Sequence, residues 1–294
     1  MLDLHLHSTL SDGLADLATV QAAVAARPDL RLVALADHDK LDGSVALAAS
    51  EPRALIAAEL NARGGASTLH LLGLGLDPGD ERLVDHLVAR TSERVTRFLG
   101  YAEVLTELGF TFEPAPYVAD TDRHQPTKAD VVRELLRHPA NRERLVAVHG
   151  RDPDDQQTIY RLFESGEVAD ISARVADTLP SPEQAIAIIH AAGGLAVVAH
   201  PIFVPLQDGW AKGKRRLERW AAAGLDGIEV FHPDQLGHDR FGDILALTQA
   251  LGLLVGVGSD DHSADLGALG TVLPPDDPRG PAIVEAWEVA LHRR

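Results

Sequence analysis

Two short motifs combine histidine and aspartate at a spacing that suits metal binding. The chain begins Met-Leu-Asp-Leu-His-Leu-His, and residues 258–262 read Gly-Ser-Asp-Asp-His. Residues two apart in an extended strand face the same side, so His5 and His7 point together, as do Asp260 and His262. Imidazole nitrogens and carboxylate oxygens are common ligands of divalent metals. The two motifs therefore predict a metal site, provided that the fold brings their strands together.

Further possible ligands follow or interrupt other short apolar segments. They are Asp12, Asp37-His38-Asp39, Glu59, His70, His200, and the pair Glu229 and His232. A single histidine at a strand end is usually a hydrogen-bonded structural residue. Recurrence at the ends of several separate strands favours a shared metal site instead. His70 is the exception, because it lies near the start of its segment.

The elements that must position these residues are seven short apolar segments, most of them followed by a helical pattern. They cover residues 2–7, 31–37, 54–59, 68–74, 195–200, 227–231 and 253–258. Apolar strands that alternate with helices predict a parallel sheet. In a (β/α) barrel the carboxyl ends of the strands converge on one face, where the active site lies. We therefore predict an α/β protein with a TIM-like (β/α)7 barrel.

Residues 80–190 interrupt this alternation. Apolar residues keep a three-and-four spacing over residues 81–108, which predicts one long or two consecutive helices. Shorter helical patterns follow near residues 130–137, 141–148 and 155–164. We interpret the stretch as a helical insertion that caps the active site. The barrel itself is then predicted to comprise residues 1–79 and 191–294.

Composition restricts the class of protein. The 294 residues are 45% hydrophobic and 24% charged, as in ordinary globular proteins, and no apolar segment is long enough for a membrane span. The start of the chain does not resemble a signal peptide, so a cytoplasmic location is expected. The absence of cysteine excludes disulfides and thiolate ligands. The net charge of −17 argues against duplex nucleic acid as a partner, and bound cations would be needed to attract a phosphate.

In this order, the motifs resemble those of the PHP (polymerase and histidinol phosphatase) superfamily, and the resemblance extends over essentially the whole chain. Residues 69–73 and the helical insertion are most similar to its TrpH-like branch of small phosphoesterases that act on nucleotides. The resemblance implies a distorted seven-stranded barrel with a trinuclear metal centre. Two positions depart from the usual pattern. Ala58 precedes Glu59 where many relatives have glycine, and Asp12 stands where some have histidine.

The resemblance also implies which residues bind three divalent ions. The first ion would be bound by His5, His7, Glu59 and Asp260, and Glu59 would bridge to a second bound by His70 and His200. The third would be bound by Asp12, His38 and His262. Such sulfur-free ligands suit manganese, zinc or iron alike. With three carboxylates among the ligands, three divalent ions would give the occupied site a net charge of about +3.

The reaction that this centre implies is phosphoester hydrolysis by a metal-activated water. Asp12 or His262 could transfer protons near the third ion, and replacing His7 or Asp260 by alanine should abolish turnover. The expected substrates are a nucleoside 3′,5′-bisphosphate, an AMP-like monophosphate or the 5′ end of a short RNA. The sequence contains neither a Gly-x-Ser-x-Gly nucleophile motif nor a phosphate-binding Gly-Lys-Ser/Thr loop.

Substrate contacts are expected from Arg123, His124 and Lys128 of the insertion and from His232 of the barrel. A second basic segment, residues 212–219, is interpreted as a solvated helix face with a possible role in guiding a nucleotide. Three other functions stay open. They are histidinol-phosphate phosphatase, an amidohydrolase-type metal hydrolase and a non-catalytic PHP scaffold. The amidohydrolase alternative is weaker because Glu59 takes the place of the mid-barrel lysine usual in that class.

Overall fold

The computed structural model forms two compact units. The larger unit comprises Met1–Leu87 and Leu179–Arg294, and the smaller comprises Val88–Thr178. The residues that the structure describes are 1–64, 68–119, 121, 125–149 and 179–293. No helix in these described ranges is long and apolar enough to cross a membrane.

The larger unit contains a seven-stranded sheet. The strands are β1 Leu2–Leu6, β2 Leu32–Leu35, β3 Ala54–Arg63, β4 Thr68–Leu74, β5 Leu195–Val198, β6 Gly227–Phe231 and β7 Leu254–Val257. They lie side by side in chain order, and a parallel bridge from Leu6 to Asp261 joins the two ends of the sheet. The sheet is therefore a nearly closed barrel, which confirms the predicted fold class.

The prediction of an all-parallel sheet was wrong for β4. This strand runs antiparallel to both β3 and β5, whereas the other neighbouring pairs are parallel. Only residues 64–67 separate β3 from β4, and a parallel crossover needs a dozen residues or more. The start of β4 consequently lies at the barrel edge where β3 ends. That reversal places His70, which pairs with Asn61, among the carboxyl ends of the other strands.

The first strand shows how sequence alternation positions the site. Leu2, Leu4 and Leu6 pack into apolar clusters, while Asp3 and His5 occupy the alternate positions. Every residue of β1 is buried, so both faces are covered by protein. The polar face of β1 therefore supplies ligands within the barrel, and the leucine face anchors the strand.

Eleven helices are assigned within the described residues. They are α1 Leu17–Ala25, α2 Asp42–Ser50, α3 Glu81–Glu107, α4 Ala115–Val118, α5 Lys128–Arg137, α6 Pro139–His149, α7 Pro182–Ala191, α8 Trp210–Ala222, α9 Pro233–Leu236, α10 Phe241–Ala250 and α11 Gly280–His292. Helix α7 begins with a capping box: the Ser181 hydroxyl accepts the Gln184 N–H, and the Gln184 side chain accepts the Ser181 N–H. It packs against β3, β4 and β5 within the larger unit.

The smaller unit has an apolar core of its own, built from Phe98, Tyr101, Leu105, Phe112 and Val131 with their neighbours. Three helical patterns predicted for the insertion correspond to α3, α5 and α6, and the fourth, at residues 155–164, lies outside the described residues. The boundary between the units falls within α3, and α7 is part of the larger unit.

Candidate metal centre

Four side chains from three separate segments converge at the first candidate site. His5 Nε2 and His7 Nε2 lie 3.1 Å apart. Asp260 Oδ1 lies 3.3 and 3.1 Å from these two nitrogens, and Glu59 Oε2 lies 3.3 and 3.2 Å from them. Donor atoms that share one ion at ~2.1 Å stand about 3.0–3.4 Å apart. The spacing therefore matches a common metal ion.

Glu59 is the centre of the cluster because its two oxygens face different histidines. Its Oε1 lies 2.9 Å from His70 Nδ1 and 3.3 Å from His200 Nε2. Its Oε2 faces the imidazoles of His5, His7 and His38 at 3.3, 3.2 and 3.1 Å. A carboxylate with an oxygen toward each of two histidine groups can bridge two ions.

A third group forms around Asp12. Its carboxylate lies 3.5 Å from His7 Nδ1, 3.5 Å from His38 Nε2 and 3.3 Å from His262 Nε2. Asp12 Oδ1, which faces His7 and His262, and His38 Nδ1, which faces Glu59, are buried and make no hydrogen bond within the described part of the chain. Buried polar atoms are normally paired, so these two are suited to a metal ion. The nine predicted ligands thus lie in one cluster, while their division among three ions stays a prediction.

Hydrogen bonds on the far side of two imidazoles orient them toward the cluster. His5 Nδ1 donates to Glu229 Oε1 at 3.0 Å, and His262 Nδ1 donates to the Asp260 carbonyl at 2.8 Å. With an ion bound, each Nε2 would present its lone pair to the metal, which is the usual arrangement of metal-binding histidines. Glu229 also accepts the backbone N–H of His200 at 2.7 Å. The sequence placed Glu229 at a strand end without assigning this positioning role.

Other buried aspartates near the ligands serve the backbone and hydroxyl groups of the surrounding loops. Asp37 accepts hydrogen bonds from the Ser8 N–H, the Ser8 hydroxyl and the Ser11 hydroxyl, at 2.8, 2.8 and 2.6 Å. Asp39 accepts from both the backbone and the side-chain amide of Asn61. Within the segment Asp37-His38-Asp39, therefore, only the histidine faces the cluster. Burial raises the pKa of Asp3 to about 6. The backbone N–H groups that donate hydrogen bonds to its carboxylate lower that pKa, but by less than burial raises it.

His232 lies beside the cluster with a defined tautomer. Its Nδ1 accepts the Asp234 N–H at 3.2 Å, so its Nε2 carries the proton and donates to Asp260 Oδ2 at 3.3 Å. The side chain is only 3% exposed. This geometry assigns to His232 a contact that orients Asp260, and its predicted contact with substrate stays a prediction.

The predicted substrate residues of the insertion are only partly described. Arg123 and His124 lie outside the described residues, and Lys128 is exposed at the start of α5. The basic segment 212–219 lies on α8. Three of its cations pair with acidic groups: Lys214 with Glu218, Arg216 with Asp208 and Arg219 with Glu183. These pairs favour the interpretation of that segment as a solvated helix face.

Charge balance in the ion-free cluster depends on protons. Burial by itself would lower the pKa of His7, but hydrogen bonds to Asp260 and Glu59 outweigh it and raise that pKa to about 10. Burial would raise the pKa of Glu59, yet the charges of His38, His70 and His5 hold it well below its usual value. In the ion-free cluster, protons on the imidazoles thus balance the negative charge of the carboxylates, as divalent ions would in the occupied site.

A pH-dependent difference in stability follows from these shifts. A histidine whose pKa rises from 6.5 to about 10 on folding stabilises the fold fully below pH 6.5 and loses that contribution as pH rises toward 10. We expect the free energy of unfolding of chelator-stripped protein to fall between pH 6.5 and 9. Metal-loaded protein should not lose this contribution, because its imidazoles are already deprotonated. Urea unfolding of both forms at several pH values across this range measures the difference in their free energies of unfolding. A difference that does not change with pH would contradict the expectation.

Curated relatives match this chain over most of its length. A 5′-3′ exoribonuclease of Haemophilus influenzae is 29% identical over 268 residues, covering 88% of this chain and 89% of that protein. A 3′,5′-nucleoside bisphosphate phosphatase of Chromobacterium violaceum is 29% identical over 283 residues, covering 89% and 87%. No protein-family model matches the chain.

Solved structures show the same fold. A structure described as an amidohydrolase of Chromobacterium violaceum, with bound sulfate and no metal, superposes with a TM-score of 0.70 at 27% identity, covering 89% of this chain and 87% of that one. A structure of a metal-dependent phosphoesterase of Bifidobacterium adolescentis gives a TM-score of 0.66 at 24% identity, covering 90% and 88%. Because the second structure is only 24% identical to this chain, its similarity supports the fold alone.

A nearly closed seven-stranded barrel with clustered histidines and carboxylates at one edge is suited to a metal-dependent hydrolase. The names of the curated relatives indicate phosphoesterases within that class. The chain is similar over most of its length to these phosphoesterases that act on nucleotides and RNA, which supports the resemblance to the PHP superfamily that its motifs indicated.

Proposed function

We propose that the protein hydrolyses phosphate esters of small nucleotides, namely nucleoside 3′,5′-bisphosphates, AMP-like monophosphates or the 5′ ends of short RNAs. The observation that carries this proposal is the convergence of six imidazoles and three carboxylates on one barrel edge. The names of the relatives, an exoribonuclease and a nucleoside bisphosphate phosphatase, support nucleotides as the substrate class. The sulfate bound in one structural neighbour is a tetrahedral dianion like phosphate.

Electrostatics support a phosphate substrate despite the acidic chain. Asp12, Glu59 and Asp260 contribute −3, and three divalent ions would contribute +6, which leaves the centre near +3. The pKa values of all three carboxyl groups are held well below the usual range, so all three are ionised at neutral pH. A local positive centre would attract a phosphate although the chain carries a net charge of −17.

Bound divalent ions, which we propose to be three and to be manganese, zinc or iron, would activate water and neutralise the phosphoryl oxygens. The protein contributes position and proton transfer. His5 and His7 are fully buried, so their rings are fixed by packing. Asp12 and His262 are 23% and 38% exposed and lie 3.3 Å apart. We propose that this pair takes part in proton transfer to solvent, with the proton accepted on a carboxylate oxygen of Asp12, because both ring nitrogens of His262 are already engaged.

The test is a phosphate-release screen coupled to metal analysis. Chelator-stripped protein is expected to be inactive, and one of Mn²⁺, Zn²⁺ or Fe²⁺ should restore hydrolysis of nucleoside mono- or bisphosphates or short 5′-phosphorylated RNAs. Histidinol phosphate and a panel of amide substrates are included as competing classes. Release from histidinol phosphate alone, or amide cleavage alone, would overturn the nucleotide proposal. Stoichiometric metal without any hydrolysis would favour the scaffold alternative.

A further inference from the structure

Phe203 differs from every other aromatic residue in the described part of the chain. It is 45% exposed, whereas the other described phenylalanine, tyrosine and tryptophan side chains are buried or half-buried. An exposed phenylalanine loses the stabilisation that burial would give, about 1.5–3 kcal/mol. Packing therefore accounts for only part of the surface of this side chain.

The position of Phe203 is fixed relative to the metal centre. It follows β5 in a turn closed by its N–H, which donates to the His200 carbonyl at 3.1 Å. Its neighbours Ile202 and Val204 pack into the barrel core, so the segment is anchored on both sides of it. Its ring centroid lies 5.3 Å from that of His200 and 6.2 Å from that of His232.

These contacts place an aromatic ring beside the proposed phosphate site. His200 Nε2 lies 3.3 Å from Glu59 Oε1 within the ligand cluster. Phe203 is therefore one ring contact away from a metal ligand, and its exposed surface is available to a bound molecule. A phosphate at the cluster would leave the sugar and base of a nucleotide to extend outward from the metals.

We propose that Phe203 is a stacking platform for the base of the nucleotide, an inference that rests on the proposed nucleotide phosphoesterase function. Every base has a π-face, and base–aromatic stacking does not depend strongly on base identity. Phe203 would thus favour nucleotides over phosphate esters that lack a base, without selecting a particular base. The sequence motifs did not indicate Phe203, because they were selected for metal-binding residue types and phenylalanine does not bind metals.

The test compares substrates with and without a base. For Phe203→Ala we expect kcat/KM for AMP to fall by about 5- to 100-fold, mainly through KM, while kcat/KM for ribose 5-phosphate stays unchanged. Phe203→Trp should retain AMP hydrolysis because the larger ring also stacks. Val289→Ala, which shortens another exposed apolar side chain on α11, is the matched control and should change neither value.

Two kinetic results would overturn the proposal. An equal fall for AMP and ribose 5-phosphate would show that Phe203 only supports His200 and His232, and no fall for either would show that the base does not contact it. Calorimetric binding of adenosine 5′-monothiophosphate to the metal-loaded wild type and Phe203→Ala gives a readout independent of turnover. If the wild type hydrolyses no phosphate ester, the proposed function fails. In that case, weaker binding of adenosine 5′-monothiophosphate to Phe203→Ala than to the wild type would still support stacking on Phe203. Equal binding to the two proteins would reject stacking.

Discussion

Replacing Glu59 by glutamine is expected to remove both bound metal and activity. Glu59 lies within 3.3 Å of five imidazoles and directs its two oxygens toward different histidine groups. An amide can offer only one neutral oxygen, and its NH2 group would face imidazole nitrogens. Loss of an outer-shell partner already lowers metal affinity or activity by about 10–100-fold, so loss of this bridging carboxylate should exceed about 100-fold in each.

The measurements are metal content per chain and phosphate release from the best substrate of the screen. Circular dichroism and urea unfolding check that the barrel is retained. Glu285→Gln makes the same chemical change at an exposed position on α11 and should leave both readouts at the wild-type level. Full metal content with undiminished turnover in Glu59→Gln would contradict a bridging role for this residue.

Strand positions and candidate metal-binding residues could be predicted largely from the sequence, because strands follow local pattern and the candidate residues recur at strand ends. All seven predicted segments contain strands, and the nine candidate residues lie in one cluster at one barrel edge, as the strand-end argument required. Their role as metal ligands stays a prediction. The direction of β4 was also accessible in principle, since the four residues 64–67 exclude a parallel crossover. An antiparallel β4 begins at the barrel edge where the other strands end. A site residue on β4 is then expected near the start of the strand, which is where His70 lies.

The positioning contacts could not be obtained in this way. Glu229 acts on His5 from 224 positions along the chain, and the protonation of His232 is set by the Asp234 N–H. These relations depend on side-chain rotamers and on three-dimensional packing, for which spacing in the sequence gives no signal. A charged residue within the apolar strand Gly227–Phe231 is nevertheless a usable indication, because a buried carboxylate requires a partner.

Backbone conformation at the strand ends adds a second constraint on the site. Asp39, His200 and Asp260 have φ values of 49°, 25° and 50°, in the left-handed region that non-glycine residues seldom adopt. All three are predicted metal ligands or lie directly beside one. Such conformations persist where the surrounding structure enforces them, and here they turn the chain just as it leaves a strand.

This conformation decides which substitution tests the charge of Asp260. The carboxylate lies 3.3 and 3.1 Å from the Nε2 atoms of His5 and His7 and accepts from His232. Asparagine tolerates a positive φ and keeps an oxygen for His232, so Asp260→Asn removes the charge with little backbone strain. We expect metal content and kcat/KM each to fall by more than about 100-fold, with the fold retained.

Two companion variants separate charge from backbone. Asp260→Ala should lose the same activity and be less stable than Asp260→Asn by at least about 1 kcal/mol, because alanine is disfavoured at positive φ and also removes the acceptor of the buried His232 N–H. Asp265→Asn, an identical change at an exposed position of the same loop, should keep wild-type metal content and turnover. Equal stability of the two Asp260 variants would show that neither the left-handed backbone nor the His232 contact contributes to stability, and wild-type metal content in Asp260→Asn would remove Asp260 from the ligand set. Because metal content and unfolding free energy are measured on the same variants, the two conclusions can be reached independently.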